Sequence, residues 1–113
     1  MKFGICYCYW SKDWEGTDYP QTIARARKCG FDVLEIFYGR LLDMAQTEVD
    51  EIKAACKEYD VELYCCGGFD KEHDLTQKDP AARAHAIEKA KEIIKAASRV
   101  GSRNFSGIKY SQW

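Results

Sequence analysis

The cysteines are the residues of this sequence whose types and spacing most readily suggest chemistry. Cys6, Cys8 and Cys66 lie in strand-like segments, and His73 lies in the loop after the last of these. Thiolates and imidazoles can bind metals or exchange electrons, but such sites usually contain motifs such as C-x-x-C. The sequence has only "CYC" and "CC", and adjacent Cys65 and Cys66 must point to opposite faces of a strand. We therefore predict reduced thiols and no metal site.

The other cysteines are also predicted to be free and mostly buried. Cys29 and Cys56 recur with apolar residues at helical spacing, which is typical of a buried helix face. The first ten residues, MKFGICYCYW, lack the long apolar segment and the cleavage site of a signal peptide. Because disulfides persist mainly in secreted proteins, we expect a cytoplasmic protein with reduced cysteines.

Glu35 is a charged residue inside the otherwise apolar run FDVLEIF. A carboxylate in a strand is costly to bury unless it is paired. Glu35 could bind a substrate hydroxyl, or it could form an internal ion pair or hydrogen bond that orders neighbouring loops. No second carboxylate indicates an acid–base pair, and CGGFD at 66–70 lacks the G-x-G-x-x-G and Walker patterns. The residues themselves predict no catalytic group.

Four strands and three helices are predicted to position these residues, in the order βαβαβαβ. The strands cover 2–9, 31–37, 61–67 and 104–108, and the helices cover 18–29, 47–59 and 80–100. Thr17 or Asp18 can cap the first helix, Asp79 can cap the third, and Thr47 with Asp50 approximates a capping box for the second. Strict alternation of strands and helices predicts a parallel sheet with helical crossovers, which is an α/β fold.

The two faces of this sheet are predicted to differ. One face should pack against the helices, using Phe3, Ile5, Tyr7, Leu34, Ile36, Leu63 and Cys65, and the third helix should bury Ile87, Ala90, Ile93, Ile94 and Ala97. Toward the strand ends, the opposite face carries small or polar residues: Cys8, Glu35, Cys66 and Ser106. Since α/β folds bind ligands at the carboxyl ends of strands, this second face predicts a pocket.

Composition excludes several classes of function. The chain has 113 residues and a net charge of −1, with Lys and Arg scattered among Asp and Glu. General binding to nucleic acid or to anionic membranes needs a basic excess, so neither partner is expected. The length fits one domain with a core, and no apolar run reaches the length of a membrane span.

Several segments together resemble one enzyme family. The start MKFGICYCYWSKDW, GFDVLEI at 30–36, the CGGF turn, the DP that opens the third helix and the closing YSQW are similar to the D-tagatose 3-epimerase/D-psicose (allulose) 3-epimerase family. That family belongs to the xylose isomerase-like TIM barrels. The resemblance covers the whole chain in order. It implies that residues 1–113 form a single partial domain, the N-terminal half of a (β/α)8 barrel.

The resemblance also implies where the chemistry lies. In the family, two glutamates act as acid and base at C3 of a ketose and bind a divalent metal with an aspartate and a histidine. These groups lie on later strands, so this chain is expected to bind no cofactor itself, although Mn²⁺, Co²⁺ or Mg²⁺ is implied for a full-length protein. Its own share is sugar binding, through Cys6, Trp14, Cys66, Gly67 and Trp113. We add Glu35 from its place on the strand.

Two classes of function follow. The first is the N-terminal part of a ketose 3-epimerase or related sugar isomerase, which supplies pocket walls but is inactive alone. The second is a non-catalytic half-barrel that acts as a structural or assembly module. In both cases the unpaired first and last strands predict a homodimer, or aggregation, through the open barrel edges.

Overall fold

The computed structural model describes residues 1–12 and 17–107. These residues fold into a parallel sheet with helical crossovers. The strands are β1 (Gly4–Cys6), β2 (Val33–Phe37), β3 (Glu62–Cys66) and β4 (Phe105–Ser106). The helices are α1 (Tyr19–Lys28), α2 (Gln46–Tyr59) and α3 (Pro80–Arg99). The strand order is β1-β2-β3-β4 and each neighbouring pair is parallel. This arrangement confirms the predicted N-terminal half of a TIM barrel.

The first strand is shorter than predicted. It ends at Cys6, and a 3-10 turn over Tyr7–Tyr9 follows. Tyr7 is nevertheless fully buried, whereas Cys8 leaves the sheet and is exposed. Phe3 was expected to face the helices, but 56% of it is exposed. Its backbone N–H donates to the carboxylate of Asp32 over 3.0 Å, which holds Phe3 ahead of β1 with its ring in solvent.

The helix-facing side of the sheet forms the core as predicted. Leu34, Ile36 and Cys65 have no exposed surface, and Leu63 is only 4% exposed. They pack with buried side chains of α1 and α2 in one apolar cluster. Each fully buried aliphatic side chain contributes about 1.5–3 kcal/mol to folding relative to exposure.

Helix α3 packs through part of the predicted stripe: Ile93 and Ala97 are buried and Ala90 is half-buried. Ile87 and Ile94 are 43% and 55% exposed, so their predicted burial is wrong. The buried positions of the helix are Ala86, Ile93, Ala96 and Ala97. Neighbouring positions differ by about 100° around a helix, so Ile87 and Ile94 lie to one side of the face that contains Ala86 and Ile93. The apolar positions of α3 in the sequence are therefore compatible with either face being buried.

The ends of α1 and α3 are capped as the sequence predicts. The side chain of Asp18 accepts a hydrogen bond from the backbone N–H of Gln21 over 3.0 Å. Asp79 accepts one from Ala82 over 2.9 Å. Each cap satisfies a donor that the first turn of a helix leaves without an intrahelical partner.

The predicted cap of α2 is wrong. The helix begins at Gln46 rather than Thr47, and Ala45 is the N-cap residue. Glu48 accepts a hydrogen bond from the backbone N–H of Ala45 over 3.2 Å, and another from the guanidinium of Arg40 over 2.9 Å. Arg40 comes from the turn after β2, so a tertiary contact helps to select this helix start.

Two cysteines lie differently from the prediction. Cys8 and Cys29 are exposed, whereas Cys56 in α2 is half-buried and packs against the apolar cluster as predicted. All six thiols are free in the structure. Within residues 1–12 and 17–107, no helix combines the length and hydrophobicity needed to cross a membrane. β1 and β4 are the two edges of the described sheet, and the homodimer stays a prediction.

Candidate functional site

Parallel pairing brings the carboxyl ends of the strands together at one edge of the sheet. Cys6 is the register partner of Glu35, and Cys66 is the partner of Ser106. Glu35 is also paired with Tyr64, two residues before Cys66, so these three side chains share one face. The sheet therefore places Cys6, Glu35 and Cys66 side by side on the face opposite the helices.

Three potential ligand atoms converge at this edge, which we call the thiol–carboxylate cluster: Cys6, Glu35 and Cys66. Their two sulfurs and one carboxylate oxygen all lie within 4.8 Å of one another. Each of the three residues is half-buried. The cluster is thus withdrawn from bulk solvent without being sealed inside the core.

Two further side chains orient the members of the cluster. The hydroxyl of Ser106 donates to Oε1 of Glu35 over 2.6 Å. The thiol of Cys8 donates to Sγ of Cys6 over 2.9 Å. The carboxylate and one sulfur are therefore held by neighbours from β4 and from the turn after β1.

The thiols of the cluster are less acidic than an ordinary cysteine. Burial raises the pKa of Cys6 to about 11, and the hydrogen bond with Cys8 contributes to the shift. Burial raises the pKa of Cys66 to about 12, and the negative charge of Glu35 contributes next. Both thiols are protonated at neutral pH, so neither is an activated nucleophile.

The sequence left two roles open for Glu35, and the structure shows one of them, an internal hydrogen bond. Its internal hydrogen bond to Ser106 spans 71 positions of sequence and ties β2 to β4. A role in binding a substrate hydroxyl stays a prediction. Ser106 was assigned to this face from the sequence but was not singled out as a site residue, because a lone serine carries no distinctive pattern.

Gly67 follows Cys66 at the same edge, and its backbone conformation and close neighbours explain why a glycine occupies this position. Its φ is +156°, and a Cβ at this position would lie 2.4 Å from ring atoms of Tyr38. The hydroxyl of Tyr38 also donates to the backbone carbonyl of Gly68 over 3.0 Å. The CGGF turn thus accommodates an aromatic ring packed against the backbone.

A small pocket opens on the inner face of the sheet below the cluster. It has a volume of about 310 Å³ and is lined by Lys2, Gly4, Ile5, Cys6, Val33, Glu35 and Tyr64. A larger cleft of about 730 Å³ lies between α1 and α2, away from the cluster. The smaller pocket is the better candidate site because Cys6 and Glu35 of the cluster line it, and it extends from there toward the amino ends of β1 and β2 at Gly4 and Val33.

The structure brings together only part of the predicted site. Cys6, Glu35, Cys66 and Gly67 share one edge, while Trp14 and Trp113 lie outside the described residues. Their roles in sugar binding all stay predictions. His73, which was considered as a partner of the cysteines and rejected, contacts Asp70 over 2.5 Å and stacks on Phe69.

The donor atoms of the cluster do not suit two of the three ions that the family resemblance implies, Mg²⁺ and Mn²⁺. Mg²⁺ and Mn²⁺ prefer carboxylate, carbonyl and water oxygens. The cluster offers one carboxylate and two sulfurs, from Cys6 and Cys66. It does not fit these hard ions. The described part of the chain contains no other group of three potential ligands.

Comparison with known families gives a match over most of the chain. The family described as a xylose isomerase-like TIM barrel matches residues 23–110. Two curated relatives are D-psicose 3-epimerases, from Ruminiclostridium cellulolyticum, 32% identical over 113 residues, and from Enterocloster bolteae, 31% identical over 115 residues. Each alignment covers 100% of this chain and 38% of the relative. The chain thus spans well under half the length of these proteins.

Solved structures give the same result. The D-psicose 3-epimerase from Clostridium cellulolyticum H10 with D-tagatose superposes with a TM-score of 0.91 at 32% identity. A D-psicose 3-epimerase in the presence of D-fructose superposes with a TM-score of 0.90 at 25% identity. Both alignments cover 100% of this chain and 39% of the other chain.

Proposed function

Because this chain belongs to the xylose isomerase-like TIM barrel family, we propose that it forms the strand 1–4 part of a ketose 3-epimerase-type barrel. In this proposal the chain supplies one wall of the sugar pocket. The observation that carries it is the convergence of Cys6, Glu35 and Cys66 at the carboxyl ends of three neighbouring strands. Active sites of TIM barrels lie at this face of the barrel.

The chemistry of the edge suits a sugar that is bound rather than transformed. A carboxylate such as Glu35 accepts hydrogen bonds from hydroxyl groups, and charge-assisted bonds of this kind are the stronger ones. Neutral thiols at Cys6 and Cys66 provide a weakly polar wall against carbon-bound hydrogens. Gly67 lets the backbone approach the rim closely. These groups orient a polyhydroxylated ligand without requiring a nucleophile.

Epimerisation at C3 itself requires a base that removes the C3 proton and an acid that returns one to the opposite face. The family resemblance assigns both roles to glutamates on later strands, and Glu35 is instead proposed to bind the ligand. We propose that these groups, and the divalent ion of the family, come from the strands that complete the barrel. The chain alone is then inactive.

A chimeric enzyme tests the proposal directly. The segment of the R. cellulolyticum D-psicose 3-epimerase that aligns with this chain would be replaced by residues 1–113. We expect the purified chimera to interconvert D-fructose and D-psicose in the presence of Mn²⁺, whereas the chain alone does not. D-tagatose would be tested in parallel, since a related structure was solved with that sugar.

Variants of the chimera separate sugar binding from folding. Glu35→Gln should raise KM by about tenfold, because a charged hydrogen bond to the ligand contributes about 1.5–3 kcal/mol. Cys29→Ser, an exposed position, is the matched control and should change neither KM nor kcat. A folded chimera that binds no ketose would refute the proposal and favour the structural or assembly module.

A further inference from the structure

We propose that the thiol–carboxylate cluster is a binding site for a soft or borderline divalent cation of the zinc class. The ligands would be Sγ of Cys6, Sγ of Cys66 and a carboxylate oxygen of Glu35. This inference concerns the chain itself and does not depend on the sugar-binding proposal. It departs from the sequence-based prediction of no metal site, which weighed His73 with the cysteines and did not include Glu35.

The donor atoms are already near the spacing that a tetrahedral site requires. With Zn–S near 2.3 Å, two sulfurs of a tetrahedral site are separated by roughly 3.8 Å. The three donor atoms already lie within 4.8 Å of one another. Side-chain rotations of Cys6 and Cys66 can supply the remaining approach, because the backbone positions are set by strand pairing.

The choice of ion follows from the donor atoms. Thiolates select zinc and similar ions, whereas oxygen-rich sites select magnesium, calcium and manganese. Two of the three ligands are sulfur, and the third is a single carboxylate from Glu35. On binding, the two thiols lose their protons to solvent and the ion replaces them, so affinity should rise with pH.

Neighbouring groups hold the ligands as a second layer does in known metal sites. The Ser106 hydroxyl fixes one oxygen of Glu35, and the Cys8 thiol contacts the Cys6 sulfur. Such outer partners orient ligands and affect affinity by about 10–100-fold. Three protein ligands leave a fourth position for water or another ligand, as in catalytic rather than structural zinc sites.

Titration of the reduced, purified chain tests the site. Zn²⁺ would be added in competition with a chromophoric chelator, and Cd²⁺ would be followed by its thiolate charge-transfer absorbance. We expect one ion per chain. Cys6→Ser and Cys66→Ser should each weaken affinity by on the order of 100-fold or more, and Ser106→Ala by about 10-fold, since a lost ligand exceeds a lost outer partner.

The control variant is Cys29→Ser, which removes an exposed thiol and should leave affinity unchanged. The double variant Cys6→Ser/Cys66→Ser keeps four other thiols, so binding of one ion by this variant would overturn the proposal. Absence of Zn²⁺ binding by the folded wild type would overturn it as well. Circular dichroism would establish that each variant is folded.

A measurement on the wild type removes any dependence on variant folding. Bound Zn²⁺ should slow alkylation of Cys6 and Cys66 at least tenfold and leave the alkylation of Cys29 unchanged. Mass spectrometry of the alkylated peptides identifies each position. Equal rates with and without Zn²⁺ at Cys6 and Cys66 would contradict the site.

Discussion

Cys65 and Cys66 are adjacent in sequence, yet they belong to opposite faces of the sheet with different roles. Cys65 has no exposed surface and packs in the main apolar cluster against the helices. Cys66 is half-buried, and its sulfur lies within 4.8 Å of Cys6 and Glu35 ligand atoms. Because successive side chains of a strand point to opposite faces, Cys65 stabilises the core while its neighbour Cys66 is a candidate functional residue.

The comparison extends to the whole sheet. The helix-facing side consists of branched aliphatic residues such as Leu34 and Ile36 that fill a core. The opposite side combines a charge, two thiols and a hydroxyl within hydrogen-bonding or ligand distance. Removal of a side chain should therefore cost stability on one face and binding on the other.

The largest expected effect is on the core face. Ile36→Ala removes a fully buried side chain from the centre of β2 and should lower the free energy of unfolding by about 2–5 kcal/mol. Ile94→Ala is the matched control, since Ile94 is 55% exposed, and its change should stay within about 0.5 kcal/mol. Urea unfolding followed by circular dichroism measures both. Equal losses would remove the distinction between core and surface.

A backbone change at the rim should rank second. Gly67→Ala adds a Cβ 2.4 Å from the Tyr38 ring and should cost about 2–3 kcal/mol through strain and collision. At Gly30, φ is +87° but no atom lies within 4 Å of an added Cβ. Gly30→Ala should therefore cost only about 1–2 kcal/mol, from the left-handed backbone alone. Thermal unfolding measures the stability of both variants. If the ring contact is unimportant, Gly67→Ala will be no less stable than Gly30→Ala.

Thiol reactivity separates the two faces without any mutation. Under a pulse of alkylating reagent, exposed Cys29 should react first, half-buried Cys66 more slowly, and Cys65 only on the timescale of unfolding. Burial and a raised pKa reduce both access and thiolate fraction. Mass spectrometry at successive times gives the three rates. Early modification of Cys65 would show that the core face opens in the native state.

The smallest expected effect is the dependence of stability on alkaline pH. The pKa of Cys66 is raised from 9.0 to about 12, chiefly by burial, so the unfolded state loses this proton first as pH rises. The thiol contributes full stability below pH 9.0 and loses it as pH rises toward 12. Cys66→Ala should flatten the pH profile of unfolding between these values. Cys29→Ala is the control, and an identical profile in all three proteins would contradict the assignment.

The sequence by itself determined the order of the strands and helices, two of the three helix caps and which strand residues face the core. Asp18 and Asp79 cap their helices as predicted because capping depends on residues within three positions. Alternation placed Leu34 and Ile36 on the core face because strand geometry has a period of two. These features are local, so local sequence contains the information.

Tertiary structure decided the features that depend on distant residues. The start of α2 is selected partly by Arg40 from another segment, and the buried stripe of α3 includes Ile93 but not Ile94. The sequence predicted Cys6, Glu35 and Cys66 on one face of the sheet but did not indicate that their ligand atoms meet. Their ligand atoms converge because the register of both β1 with β2 and β2 with β3 pairs residues 29 positions apart, which local pattern does not encode.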